Sequence, residues 1–155
     1  MTTRRIYLDT EFTSLNRYQA KLISLALVVP GGGPEFYVEL IDTWSPADCS
    51  SFVLDTVLPQ LNHANHGRTT EQARAELLAF LQALGPVEVI TEAPNHDWPL
   101  LLWLAGLAGL PVNVQPEPGH LPIDLSAAYS GDEPPHHALQ DARLLAALAE
   151  QTNPA

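Results

Sequence analysis

Ile6 and Leu8 alternate with Tyr7, Asp9 and Glu11 near the start of the chain. A two-residue period marks a strand, so residues 5–9 form the first one, with both acids on the face opposite Ile6 and Leu8. Two more apolar stretches, 21–29 and 35–41, flank Pro30-Gly31-Gly32-Gly33-Pro34. Glycines and prolines in such a run make a turn, and the pair reads as an antiparallel hairpin continuing a three-strand meander. Residues 51–61 suit a short helix. Thr69 with Gln72 three positions later makes a capping box for a helix over 70–84, stopped by Gly85-Pro86.

A short buried strand follows at 87–91. Trp98, Leu101, Leu102 and Ala105 then share one face of a helix over 98–110, ended near Gly109 and Pro111. Pro111, Pro116, Pro118 and Pro122 bracket two extended pieces, the second over 121–125. The Ala- and Leu-rich stretch 137–150 forms the last helix. The order β-β-β-α-β-α-β-α implies an α/β fold, a mixed five-stranded sheet flanked by α-helices, with residues 1–155 as one domain.

Composition narrows the function. The 155 residues include 7 Lys+Arg against 18 Asp+Glu, a formal net charge of −11. Gripping long nucleic acid by neutralising many phosphates needs a basic stripe, and Lys21 is the only lysine. One cysteine, Cys49, excludes a disulfide scaffold and a cysteine-based zinc site, and fits a reducing cytoplasm. The apolar run at 22–29 is broken by Ser24 and followed by Pro30, so neither a signal peptide nor a membrane span is expected.

Four acids stand apart by position. Asp9 and Glu11 share a face at the end of the first strand, and Asp97 opens the helix after the fourth. Asp141 falls on the stripe of Ala138, Ala142, Leu145 and Ala149, which should pack on the sheet. Singly, each has a plain explanation: a solvated strand end, a helix cap, or a local hydrogen bond. Brought together about 5 Å apart, however, four charges would repel by about 3 kcal/mol per pair at an effective dielectric near 20, on the order of 20 kcal/mol in all. Protonation or bound cations would relieve that. Clustered carboxylates favour Mg²⁺ or Mn²⁺, and paired ions of this kind serve in-line attack at phosphodiesters.

Leu8-Asp9-Thr10-Glu11-Phe12-Thr13-Ser14-Leu15 resembles the first motif of the DEDD-type 3′→5′ exonucleases, and Asp97 falls where their second motif places its acid. His136-His137-Ala138-Leu139-Gln140-Asp141-Ala142 resembles the His-x4-Asp-Ala third motif of the DEDDh subgroup of the RNase H-like superfamily. The three motifs span residues 8 to 142. Phe12 and Ser14 depart from the family's usual Thr and Gly, and Ala93 stands where the second motif commonly has Asn. Glu92-Ala93-Pro94-Asn95-His96-Asp97-Trp98 is closer to small stand-alone bacterial 3′–5′ exoribonucleases, in which reading Glu92 is either a supporting acid or a solvated strand end.

The resemblance implies an RNase H-like fold and two divalent ions, Mg²⁺ or Mn²⁺, held by Asp9, Glu11, Asp97 and Asp141, with His136 as general base on the attacking water. It also implies release of 5′-mononucleotides and contacts to the terminal nucleotide from Phe12, Thr13, Leu15 and Arg17. His137, in this register, belongs to the helix start, and His63, His66, His96 and His120 read as structural or surface residues. The expected partner is a single-stranded or overhanging 3′ end, of RNA in preference to DNA, and the resemblance allows a homodimer. A DNA-directed exonuclease and a catalytically silent nuclease-like binding module are the alternatives. The Asp-Thr-Glu-Phe-Thr stretch also superficially resembles the start of haloacid-dehalogenase phosphatases, but these need a downstream lysine, and the only lysine is Lys21.

Overall fold

The computed structural model describes residues 2–123, 125 and 135–152. It is an α/β structure whose sheet has six strands, β1 (Arg4–Phe12), β2 (Leu22–Val28), β3 (Glu35–Leu40), β4 (Gly67–Arg68), β5 (Val87–Thr91) and β6 (Gly119–His120). Their order across the sheet is β4-β3-β2-β1-β5-β6. The meander β1-β2-β3 is antiparallel as the hairpin reading expects, while β4, β5 and β6 pair in parallel with β3, β1 and β5. The Pro-Gly-Gly-Gly-Pro turn works through Gly31 and Gly32, both at positive φ, where only glycine sits without strain.

The helices bounded among the described residues are α1 (His63–His66), α2 (Thr70–Gln82), α3 (Pro94–Ala105) and α4 (Ala138–Thr152). Ile6, Leu8, Leu25 and Leu27 on one face of the sheet pack with Leu77 and Leu81 of α2 and Leu101 and Leu104 of α3. Tyr7, Ala26, Val28 and Ile90 on the other pack with Ala138, Ala142, Leu145 and Ala149 of α4. The small alanines let α4 lie close to the strands, and the face alternation along β1 is the one its sequence period prescribes. All seven residues of β2 are buried, as suits a strand covered on both sides.

Several boundaries differ from the sequence expectation. The sheet has six strands rather than five, because β4 is a two-residue strand that hydrophobic periodicity cannot register. The strand expected over 121–125 sits earlier, at Gly119–His120; Leu121 still donates its N–H to the Thr91 carbonyl, and Pro122 has no N–H to continue the ladder. Part of the 121–125 stretch lies outside the described residues. Helix α3 runs over Pro94–Ala105 rather than 98–110. Pro94 at its first position is a favoured helix start, and Gly106, at φ 87°, ends it one turn before Gly109. The stretch 51–61 contains a π-helical turn, Val53–Val57, and a 3-10 turn, Leu58–Gln60, rather than a uniform α-helix. The Thr69–Gln72 capping box opens α2 as expected. No helix among the described residues is long and apolar enough to cross a membrane.

Candidate metal centre

Parallel pairing sets β5 beside β1 with Tyr7 opposite Ile90, so the two strands end together and the chain leaving β5 enters α3 next to Asp9 and Glu11. In open α/β sheets the crevice beyond such carboxyl ends is where ligands bind. Between Glu11 and Phe12 the β1–β2 register slips, and a bulge of this kind re-aims the side chains beside it. Helix α4 packs on β1 and β2 from the opposite face. Its first turn, in which the Asp141 N–H donates to the His137 carbonyl, brings Asp141 over the strand ends.

The result is a cavity of about 580 Å³ lined by Asp9, Glu11, Glu92, Asp97, His136 and Asp141, with Phe12, Leu15, Phe52 and Val53 as apolar wall. No lysine or arginine is among its described lining residues. One ligand atom each from Glu11, His136 and Asp141 lies within 4.8 Å of the others. Asp9 and Asp97 share the cavity but not that tightest group.

Each carboxylate has a different hydrogen-bond state. Asp97 is buried and accepts the Thr10 hydroxyl at one oxygen, at 2.7 Å, and the Thr91 hydroxyl at the other. These bonds fix its orientation while leaving lone pairs free. Asp9 Oδ2 and Asp141 Oδ1 are buried with no hydrogen-bond partner among the described residues, a condition that is costly and uncommon for a polar atom.

The electrostatics follow from burial without cations. Burial raises the Asp9 carboxyl well above its usual range, and Asp97, Glu11, Asp141 and Glu92 raise it further. Glu11 is pushed up to about 8 by burial and then by Asp141 and Asp97. Asp97 rises to about 7 through burial, in spite of the lowering hydroxyl bonds from Thr91 and Thr10. Asp141 rises to about 6, again through burial, with the His136 charge pulling the other way. Glu92 contributes to the repulsion on three of these groups, so it belongs to the cluster's field.

These properties fit a divalent cation. Unpaired buried oxygens supply hard donors, the raised carboxyls are protons waiting to be displaced, and oxygen-rich sets select Mg²⁺ or Mn²⁺ in preference to soft metals. The group Glu11, His136 and Asp141 could hold an ion on its own.

The two adjacent histidines part company. His136 lines the cavity, with its ring edge-on to Phe52 at 4.8 Å. At φ 54° it is the one non-glycine at positive φ among the described residues, and backbone held in that region is stored strain of order 1 kcal/mol or more. Gln60 anchors the approach by donating to the Pro135 carbonyl. His137 instead stacks on Tyr37, ring centres 5.0 Å apart, and burial lowers its pKa.

Of the residues expected at the terminal nucleotide, Phe12 and the exposed Leu15 line the cavity. Thr13 does not. It is buried, donates its N–H to the Lys21 carbonyl, accepts the Lys21 N–H on its hydroxyl and takes the Ser50 N–H on its carbonyl, so it fastens the β1–β2 connection. Arg17 lies in a neighbouring groove. The hydroxyls of Thr10 and Thr91 and the wall from Phe52 and Val53 are absent from the sequence reading. Thr10 does sit at the next same-face position after Ile6 and Leu8, which is where α3 packs, so its spacing carried a signal. The π-helical turn that brings in Val53 carried none.

No protein-family model matches the chain, and no curated protein sequence matches it.

Proposed function

We propose that the chain is a metal-dependent 3′→5′ exonuclease with an RNase H-like fold, acting on single-stranded or overhanging 3′ ends and favouring RNA. One observation carries the reading: Asp9, Glu11, Asp97, Asp141 and His136 line one cavity at the carboxyl ends of β1 and β5, with no lysine or arginine and with two unpaired buried carboxylate oxygens among the described residues. The six-stranded mixed sheet flanked by helices agrees with that fold.

In this reading the four carboxylates hold two divalent ions, Mg²⁺ or Mn²⁺, which polarise the scissile phosphodiester and favour ionisation of the attacking water. Thr10 and Thr91 keep Asp97 in the one orientation that presents its remaining lone pairs to the cavity. His136 accepts the proton of the water: its ring nitrogen lies within 4.8 Å of the Glu11 and Asp141 donors, and imidazole exchanges protons near neutral pH. Phe12 and Leu15 give the terminal base an apolar surface at the rim. The product is a 5′-mononucleotide.

The test is a digest of matched 5′-labelled RNA and DNA oligonucleotides with Mg²⁺, with Mn²⁺ and with chelator. The expected result is a ladder shortening from the 3′ end that chelator abolishes and that Asp9→Ala lacks while retaining the wild-type circular dichroism spectrum. Undiminished activity of folded Asp9→Ala refutes the site, and cleavage from the 5′ end refutes the polarity.

A further inference from the structure

Phe12 has a second role. Its ring lies parallel to that of His96, 7° between planes and 5.3 Å between centres. Phe12 belongs to the walls of two cavities, the carboxylate cavity and a larger groove of about 990 Å³ beyond it. The groove is mostly apolar and aromatic, with His96, Tyr18, Trp98 and Trp103 in its wall. Its volume is at the upper end of the ~300–1,000 Å³ of small-ligand sites.

The charge of the groove is opposite to that of its neighbour. Arg17 and Lys21, two of the seven Lys+Arg of a chain with net charge −11, line it. The Arg17 guanidinium sits 5.3 Å from the centre of the exposed Tyr18 ring. Among the described residues Arg17 has no ion-pair partner, whereas Lys21 is paired with Asp48 at 3.1 Å. The single acid in the wall, Asp42, is occupied by the backbone N–H and hydroxyl of Thr70. Aromatic stacking faces beside a cation are elements from which sequence-independent single-strand sites are built.

We propose that this groove binds the nucleotides preceding the 3′-terminal one in a single strand, with their bases on its aromatic side chains and one phosphate at Arg17. The proposal rests on the exonuclease reading for its direction, since a strand whose last phosphodiester lies at the carboxylates continues across Phe12 into the groove. It explains how an acidic protein can hold a polyanion: the anchorage is local and aromatic rather than a basic stripe. It also excludes duplex, whose paired bases present no free faces for stacking.

The experiment compares two substrates of the wild type, Trp103→Ala and Trp103→Phe. The p-nitrophenyl ester of thymidine 5′-monophosphate fills only the carboxylate cavity, whereas a tetranucleotide reaches the groove. Trp103 is half exposed, so the fold tolerates its replacement. Losing one base–aromatic stack costs at least about fivefold. Trp103→Ala should therefore raise KM for the tetranucleotide fivefold or more and leave aryl-ester hydrolysis unchanged, and Trp103→Phe should restore most of the loss. Equal KM values on the tetranucleotide overturn the proposal, as does a parallel loss on both substrates. Binding separates this result from failure of the exonuclease reading. In chelator at low salt, the tetranucleotide should quench wild-type tryptophan fluorescence, less so in Trp103→Ala, even if neither substrate is hydrolysed; absence of quenching overturns the groove assignment.

Discussion

Replacing Glu11 by Gln should make the metal-free protein more stable at high pH. In the folded chain the Glu11 carboxyl sits at about 8 against an ordinary 4.5, first because it is buried and then because Asp141 and Asp97 face it. Between those two values the native state keeps a proton that the unfolded chain has released, so unfolding becomes easier as pH rises, by about 1.4 kcal/mol per pH unit. The stabilisation is complete below about pH 4.5 and lost above about 8. The full span is on the order of 5 kcal/mol; part of the side chain meets water and its neighbours titrate with it, which roughly halves the figure. Gln keeps the shape and carries no charge. In chelator, Glu11→Gln and wild type should therefore melt together near pH 5, and the variant should melt about 5–10 °C higher at pH 9, the equivalent of about 2–3 kcal/mol in a chain of this size. Thermal denaturation followed by circular dichroism reads this directly. Millimolar Mn²⁺ at pH 8 should reverse the order, because ion binding stabilises only the chain that retains its ligand. A variant melting at or below wild type at pH 9 in chelator would refute the argument that Glu11 belongs to a buried, mutually repelling carboxylate cluster.

Two further outcomes are expected. His136→Ala should cost 10²–10⁴ in nuclease rate, the range of a lost general base, whereas His137→Ala should stay within about tenfold and lower stability by about 1 kcal/mol through its lost stack on Tyr37; the reverse ranking in paired rate and melting measurements would assign the base to His137. Arg143 donates to both oxygens of Glu35, at 2.6 and 2.8 Å, tying α4 to β3, and its hydrogen bond holds the Glu35 carboxyl below its usual range. Arg143→Ala should thus lower stability by about 0.5–1 kcal/mol at pH 7, and the difference should vanish in acid, once the pH has fallen below the usual carboxylate range far enough to protonate Glu35 in the folded chain; a deficit that persists undiminished in acid in urea titrations would show that packing, not the ion pair, is lost.

The parts of the fold visible in the sequence are those governed by local rules. The alternation from Ile6 to Glu11 set the two faces of β1, the Thr69–Gln72 box opened α2, and the alanine stripe set the buried face of α4. These signals are carried by the segment that obeys them. By contrast, β4 and β6 exist only because a neighbouring strand offers free backbone groups, and no local pattern announces two paired residues. Position, too, separated the four acids from the other fourteen, since each fell at a strand end, at a helix start or on an apolar stripe. What position could not disclose was the company they keep: the Thr10 and Thr91 hydroxyls come to Asp97 from two adjacent strands, and Phe52 meets His136 across more than 80 residues. Thr13 shows the converse: it is buried and not among the residues lining the cavity. Its place in a motif suggested substrate, but the β1–β2 connection needs its hydroxyl and backbone to close.

Glu39 supplies the internal control for reading the cluster as a site. It too is a carboxylate, fully buried on the same sheet. Yet its oxygens are satisfied: the Tyr37 hydroxyl donates to Oε2 and the Asn62 N–H is shared between both, while His63 Nε2 lies 3.8 Å from Oε1. The chain therefore can bury an acid and supply donors to it. At Asp9 on β1 and Asp141 on α4, the described residues leave buried oxygens unpaired and line the space between them with further acids rather than with an arginine or an amide. Since an unpaired buried polar atom costs about 1–3 kcal/mol, and a single lysine or asparagine nearby would remove the cost, the deficit is a property of the arrangement and not a limit of the fold. The donors missing among the described residues are ones a divalent cation can replace, which is why the proposed metal site is placed at the carboxylates and not in the larger groove beside them.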